Sequence, residues 1–293
     1  MKKKIALVGN APQEKYEMLN ALLDEEGVIE MCDIELYGAD GQPDNEALTD
    51  AIEDYRDNAI DGIVCLPFTT KAITKMIPVM PIQIHATGRL ASVKGKVSKN
   101  EAATTLKQEE IVTRATTLAK ALKRDLSILN PRIAILSLND DIVVEEGSAE
   151  VSAIAPAVSE LVKSGIQAFG PIASGKFFDN NDLSAFDAIL QMYDGQCNEA
   201  FANASNEGIV TLLTDYEAPI TQAEPEQLLQ ALSLVTDVTL NRKVYDEPFT
   251  NPLPKLYHEK REDGDKARFA IKKGFNPAEH RRENVTYIKN DNA

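Results

Sequence analysis

"FDAILQMYDGQC", residues 186–197, reads as a buried strand that runs into a polar turn. Open α/β sheets place their ligand-binding side chains in such turns, at the carboxyl ends of strands. This turn offers one carboxylate, Asp194, a glycine and an amide, and no histidine. The whole chain has only three histidines.

Similar apolar runs lie on either side of it: "IALVG" (5–9), "DGIVCLPF" (61–68), "RIAILSL" (132–138) and "GIVTLLT" (208–214). Amphipathic stretches separate them, the pattern of a mostly parallel sheet covered by helices on both faces. The clearest helix spans Gln108 to Leu126, where Ile111, Ala115, Leu118, Ala119, Leu122 and Leu126 share one face. Thr105 and Gln108 have the spacing of a capping box at its start. A second helix begins near Pro225 and turns Leu228, Leu229, Leu232 and Val235 inward. Asn130-Pro131 is the expected boundary between a first α/β subdomain, residues 1–129, and a second, residues 130–250, with segments free to exchange between them. Residues 251–293 form a charged tail with isolated aromatics and few aliphatics, too poor in apolar groups to make a core alone.

The formal net charge is −15. From Lys255 to Ala293 there are 10 basic and 7 acidic residues, so the body before the tail carries −18. Such a body repels nucleic acid and anionic membrane. Cys32, Cys65 and Cys197 are widely spaced and odd in number, which supports neither a disulfide framework nor a Cys-x-x-Cys metal site. The apolar run at Ile5 to Val8 is too short for a signal-peptide core, and no stretch reaches the ~18 apolar residues of a membrane span. A reducing, cytoplasmic setting is expected.

Several local motifs fall short of a site. "GPIASGKF" (170–177) has the G-x-x-x-x-G-K spacing of a phosphate loop but puts Phe177 where a hydroxyl must hold magnesium. "GNAP" (9–12) has one glycine where the dinucleotide fingerprint needs three. Thr70 and Lys71, after the strand at Gly62, suit an anion at a helix start, although a solvent-facing cap and lysine is the more ordinary reading of the same residues. His85, His258 and His280 match no ligand spacing and read as surface or lightly packed. Asp140-Asp141 and Asp194 each follow a predicted strand, where turn formation alone would also place an aspartate.

The order of "LNPRIAILSLND" (129–140), "SAEVSAIAPAVSELVKSGIQAFGPIASGKFF" (148–178), "FDAILQMYDGQ" (186–196), "GIVTLL" (208–213) and "AEPEQLLQALSLV" (223–235) resembles the 4-hydroxythreonine-4-phosphate dehydrogenase family of vitamin B6 biosynthesis. Its members read N-P-R-I-A-V-L-G-L-N-P-H-A-G-E, I-x-P-A, G-P-x-P-A-D-T-x-F, Y-D-A-V-L-A-M-Y-H-D-Q-G and A-D-P-x-S-L. "LPFTTKAI" (66–73) is similar to the family's T-G-P-I-N-K with one residue inserted. The resemblance implies an isocitrate/isopropylmalate-dehydrogenase-like fold of two α/β subdomains around a cleft, and a homodimer. It also implies NAD-dependent oxidation of a phosphorylated hydroxy-amino acid with a divalent metal held by three histidines.

The matching positions are altered. The histidine of N-P-H corresponds to Asp141 and that of M-Y-H-D-Q-G to Asp194, with Gly195 and Cys197 replacing the family's aspartate and glycine. The loop with the third histidine, R-T-S-x-D-H-G-T, has shrunk to "TDYEAPITQ" (214–222), and G-H-T-E has no counterpart. The expectation is therefore a catalytically degenerate relative with no cofactor, binding a small metabolite, itself, or an active relative as partner subunit. In the alternative, an active dehydrogenase would use NAD with magnesium or manganese on Asp141 and Asp194, and Lys71 with Thr70 would bind the anionic substrate group.

Overall fold

The computed structural model describes residues 2–9, 32–38, 44–66, 80–85, 90–142, 145–178, 182–205, 208–214 and 216–246. Among these are ten strands: β1 (Lys3–Val8), β2 (Cys32–Tyr37), β3 (Gly62–Cys65), β4 (Pro81–His85), β5 (Ala91–Val93), β6 (Arg132–Leu136), β7 (Gln167–Ile172), β8 (Ala188–Leu190), β9 (Ile209–Leu213) and β10 (Ile220–Gln222). They form one sheet in the order β2-β1-β3-β10-β9-β4-β5-β8-β6-β7. The first four in that order are parallel to one another, and so are the last four. Antiparallel pairings of β10 with β9, β9 with β4, and β4 with β5 join the two sets.

The helices are α1 (Asp44–Arg56), α2 (Lys99–Thr105), α3 (Gln108–Asp125), α4 (Ala155–Lys163), α5 (Ser174–Phe177), α6 (Asn198–Asn203) and α7 (Leu228–Asp246). Strand alternation sends side chains to two faces, and both are covered. Ile133, Ile135, Ala188 and Leu190 face α3 and α4 through Ile111, Leu118, Leu122, Ala157 and Leu161. Ala134, Leu136 and Ile189 face Phe177 and Phe201 on the other side. In the other parallel set, Ile5, Leu7, Val64 and Leu66 pack on α7, while Ala6, Val8, Ile63 and Cys65 pack on α1. Burial on both faces explains why these strands read as continuous apolar runs.

The chain order is interleaved across the sheet. Strands β4 and β5 lie beside β9 and β8, whereas β10 lies beside β3. A fully buried carboxylate, Asp125 at the end of α3, joins α3 to α7: Arg242 donates from Nε at 2.8 Å and Nη2 at 3.2 Å, and Arg124 from Nε at 2.7 Å and Nη2 at 3.1 Å. Arg242 Nη1 also reaches the carbonyls of Tyr216 and Glu217, at 2.9 and 3.1 Å.

Two local expectations are corrected. Thr105 does not cap α3: it ends α2, its Oγ1 donates to the carbonyl of Glu101 at 2.8 Å, and Lys107 is the cap residue of α3, with no side-chain cap bond. His85 is buried at 6 % exposure instead of lying at the surface, because it ends a central strand and its ring packs on Phe201, centroids 4.2 Å apart. In the helix after Pro225, Leu228, Leu232 and Val235 are buried as expected, whereas Leu229 is half-buried.

Candidate functional site

Strands β5, β8, β6 and β7 are parallel and in register at their ends, Val93 beside Leu190, Leu190 beside Ile135 and Leu136 beside Ile172. The turns that follow them therefore line one edge. Asp194 lies in the turn after β8 and Asp141 in the turn after β6, on neighbouring strands, and both residues are exposed.

Two glutamines build the turn after β8. Gln191 is fully buried; its Nε2 donates to Ser92 Oγ at 2.9 Å and its Oε1 accepts from the Cys197 N–H at 3.4 Å. Gln196 Oε1 accepts from the Met192 N–H at 2.7 Å, and its Nε2 donates to the Ser137 carbonyl on the β6 side. Gly195 sits at φ +84°, a conformation that favours glycine. The loop after β5 lies against this turn backbone to backbone. A Cβ added at Gly95 would stand 2.2 Å from Tyr193 Cα, and the Asp194 N–H donates to the Val97 carbonyl at 2.8 Å. Beneath them Arg114, 5 % exposed, donates from Nη2 to the carbonyls of Lys94 (2.8 Å) and Gln191 (3.0 Å). Burial lowers its pKa, and Glu110 opposes that shift. A guanidinium keeps its charge regardless, so a fixed positive charge clamps the ends of β5 and β8.

The turn after β6 is held as firmly. The Asn139 N–H and its Nδ2 both donate to Glu150 Oε1 at 3.1 Å, and Glu150 is buried at 1 % exposure. Its second oxygen, Oε2, has no hydrogen-bond partner. Glu150 opens a π-helical turn, Glu150–Ile154, a local widening that often marks functional sites. The Gly175 N–H donates to the Asp140 carbonyl at 3.1 Å, joining this turn to the one after β7. Lys99 links the two aspartate turns: its Nζ lies 3.7 Å from Asp140 Oδ1 and 5.5 Å from the centre of the Tyr193 ring.

This edge offers carboxylates and an ammonium on rigid turns. Burial pushes the Cys197 thiol up to about 12, so it is no thiolate nucleophile near neutral pH. No group of three His, Cys, Asp or Glu able to hold a metal occurs among the described residues. His85, the single histidine among them, turns a ring nitrogen to the Phe201 carbonyl at 2.8 Å. The described residues thus do not fit the three-histidine metal that the resemblance implies. Thr70, Lys71, His258, His280 and the turn after β1 lie outside the described residues.

Sequence reasoning missed Arg114, Glu150, Lys99 and Gln191, and saw Gln196 only as an amide in the turn. Arg114 left a signal: it interrupts the apolar stripe of α3, three residues after Ile111 and four before Leu118. The phosphate-loop mimic at Gly170 is explained by β7 and the four-residue α5, too short to present a helix terminus to phosphate.

Residues 79–221 match the family model described as pyridoxal phosphate biosynthetic protein PdxA. A 4-hydroxythreonine-4-phosphate dehydrogenase of Bacteroides thetaiotaomicron is 29% identical over 309 aligned residues, covering 89% of this chain and 81% of its own. One from Erythrobacter litoralis is 40% identical over 88 residues, 29% of this chain and 26% of its own. The crystal structure of a 4-hydroxythreonine-4-phosphate dehydrogenase from Burkholderia phymatum superposes with a TM-score of 0.60 at 14% identity, covering 81% of this chain and 98% of that one. That of the Klebsiella pneumoniae enzyme gives 0.53 at 17%, covering 67% and 69%. These structures establish an isocitrate-dehydrogenase-like fold.

Proposed function

We propose that the chain is a member of the 4-hydroxythreonine-4-phosphate dehydrogenase family, to which it is similar in sequence and fold, and that it binds a small metabolite or a partner subunit at the shared strand edge without metal-assisted dehydrogenation. The observation that carries this reading is the substitution at the two aspartate turns. By the sequence resemblance Asp141 and Asp194 correspond to family histidines, and between their turns stands Lys99, an ammonium in contact with Asp140 and the Tyr193 ring. A divalent ion placed there would meet a resident positive charge and few donors, and sites of that kind bind metal weakly.

A second reading, an active NAD-dependent dehydrogenase with magnesium or manganese, is favoured by one observation. The turns are built as rigidly as a working site requires, with Gln191, Gln196, Arg114 and Glu150 all committed to holding them. Asp141 and Asp194 would then hold the ion, with Thr70 and Lys71 on the substrate phosphate.

Spectrophotometry of the purified protein with 4-hydroxythreonine 4-phosphate, NAD and either metal separates the two. The expected outcome is no NADH above background. Metal-dependent, saturable NADH production that disappears in Asp194→Ala establishes the second reading instead.

A further inference from the structure

At the opposite ends of the same strands lies a cavity of about 510 Å³. Arg132 opens β6 and Asp187 immediately precedes β8, whereas the turns of the candidate site follow those strands. The cavity is lined by Leu90, Leu126, Ile128, Leu183 and Phe186, with His85, Arg132, Ser184 and Asp187 as its polar groups. Its size and its mostly apolar wall with a few convergent polar groups are those of small-molecule sites, which occupy ~300–1,000 Å³.

The polar groups are fixed in place and retain free valences. Arg132 is locked by Asp187, through Nε at 3.1 Å and Nη2 at 3.0 Å, and Nη2 also donates to the Ser184 carbonyl at 3.2 Å. These bonds leave both Nη1 protons available on a side chain that is 41% exposed. His85 turns Nε2 to the Phe201 carbonyl, an acceptor only, so Nε2 carries the proton and Nδ1 is left as an acceptor in the neutral ring. Burial lowers the His85 pKa and favours that neutral form, against the opposing pull of the Phe201 carbonyl.

We propose that this cavity is a second small-molecule site, separate from the family's strand edge, for an amphipathic anion with an apolar or aromatic body, one acidic group for Arg132 and one N–H or O–H for His85. The apolar wall takes the body, and the Nη1 protons of Arg132, a guanidinium oriented by Asp187, take the anion. The acceptor nitrogen of His85 selects for a donor.

The probe 8-anilinonaphthalene-1-sulfonate carries all three features: aromatic rings, a sulfonate and one N–H. Calorimetric and fluorescence titration of the full chain should show saturable binding of one probe per chain. Arg132→Gln should weaken it by roughly tenfold or more, the worth of a charge-assisted hydrogen bond. Ser184→Glu, at an exposed position where folding is not at stake, should do the same by placing a negative charge at the mouth. Asp194→Asn should leave binding unchanged. Absence of saturable binding, binding that survives Ser184→Glu, or binding lost with Asp194→Asn overturns the proposal.

Discussion

The His85 imidazole ends β4 with Nε2 on the Phe201 carbonyl and its ring against the Phe201 ring. Burial holds its pKa below the ordinary value of about 6.5, and the unfolded chain is free of that effect. Below pH 6.5 the unfolded state therefore binds more protons than the folded state, and stability falls as pH falls. The loss levels off once the pH passes the folded-state value. Urea unfolding from pH 7.5 to 5.5 should show this decline, and His85→Phe, which keeps an aromatic ring on Phe201, should flatten it. An unchanged slope in the variant would assign the titration elsewhere. The residues that shape the site were harder to read from sequence than those at its surface. Asp141 and Asp194 announce themselves by following strands, but Gln191 acts through a partner far along the chain, Ser92 lying 99 residues away. One-dimensional spacing carries no trace of such a bond.

Strands and long helices were the legible elements. "RIAIL", "AIL" and "IVTLL" are apolar because both of their faces are covered, and α3 follows its stripe from Gln108 to Asp125. The start of α3 misled because threonine is a frequent cap, yet Thr105 here closes the preceding helix. Arg242 was legible only as a charge near the end of a helix, and its fold role depends on Asp125, 117 residues away. Removing it strands a buried carboxylate. Arg242→Met should cost about 3 kcal/mol in urea unfolding, the low end of the range for breaking a buried pair because Arg124 still holds Asp125. Arg124→Met, at a more exposed side chain, should cost less. Equal losses would mean that the bridge between α3 and α7 contributes nothing of its own.

For the whole molecule, the sequence resemblance implies a homodimer that completes its cleft across subunits. We expect light scattering at micromolar concentration to give twice the chain mass, with an interface of ~2,000 Å² or more, as obligate pairs of this kind bury. A monomer at that concentration would remove the partner-subunit reading and leave the metabolite one. The order of the sheet was not legible, since apolar runs reveal that strands exist but not which strand lies beside which. That order has a consequence for how the protein is made. Strands β9 and β10, which stand between β3 and β4 in the sheet, come last of the ten described strands, at residues 209–222. Until the ribosome has released them, the nascent chain holds two half-sheets, each ending in an open edge at β3 or β4, the kind of edge that pairs with other chains. The protein thus depends on its final strands to close its middle, and a message truncated shortly before residue 209 would encode a product prone to aggregate, with both inner edges open and the α7 side of β1 and β3 uncovered.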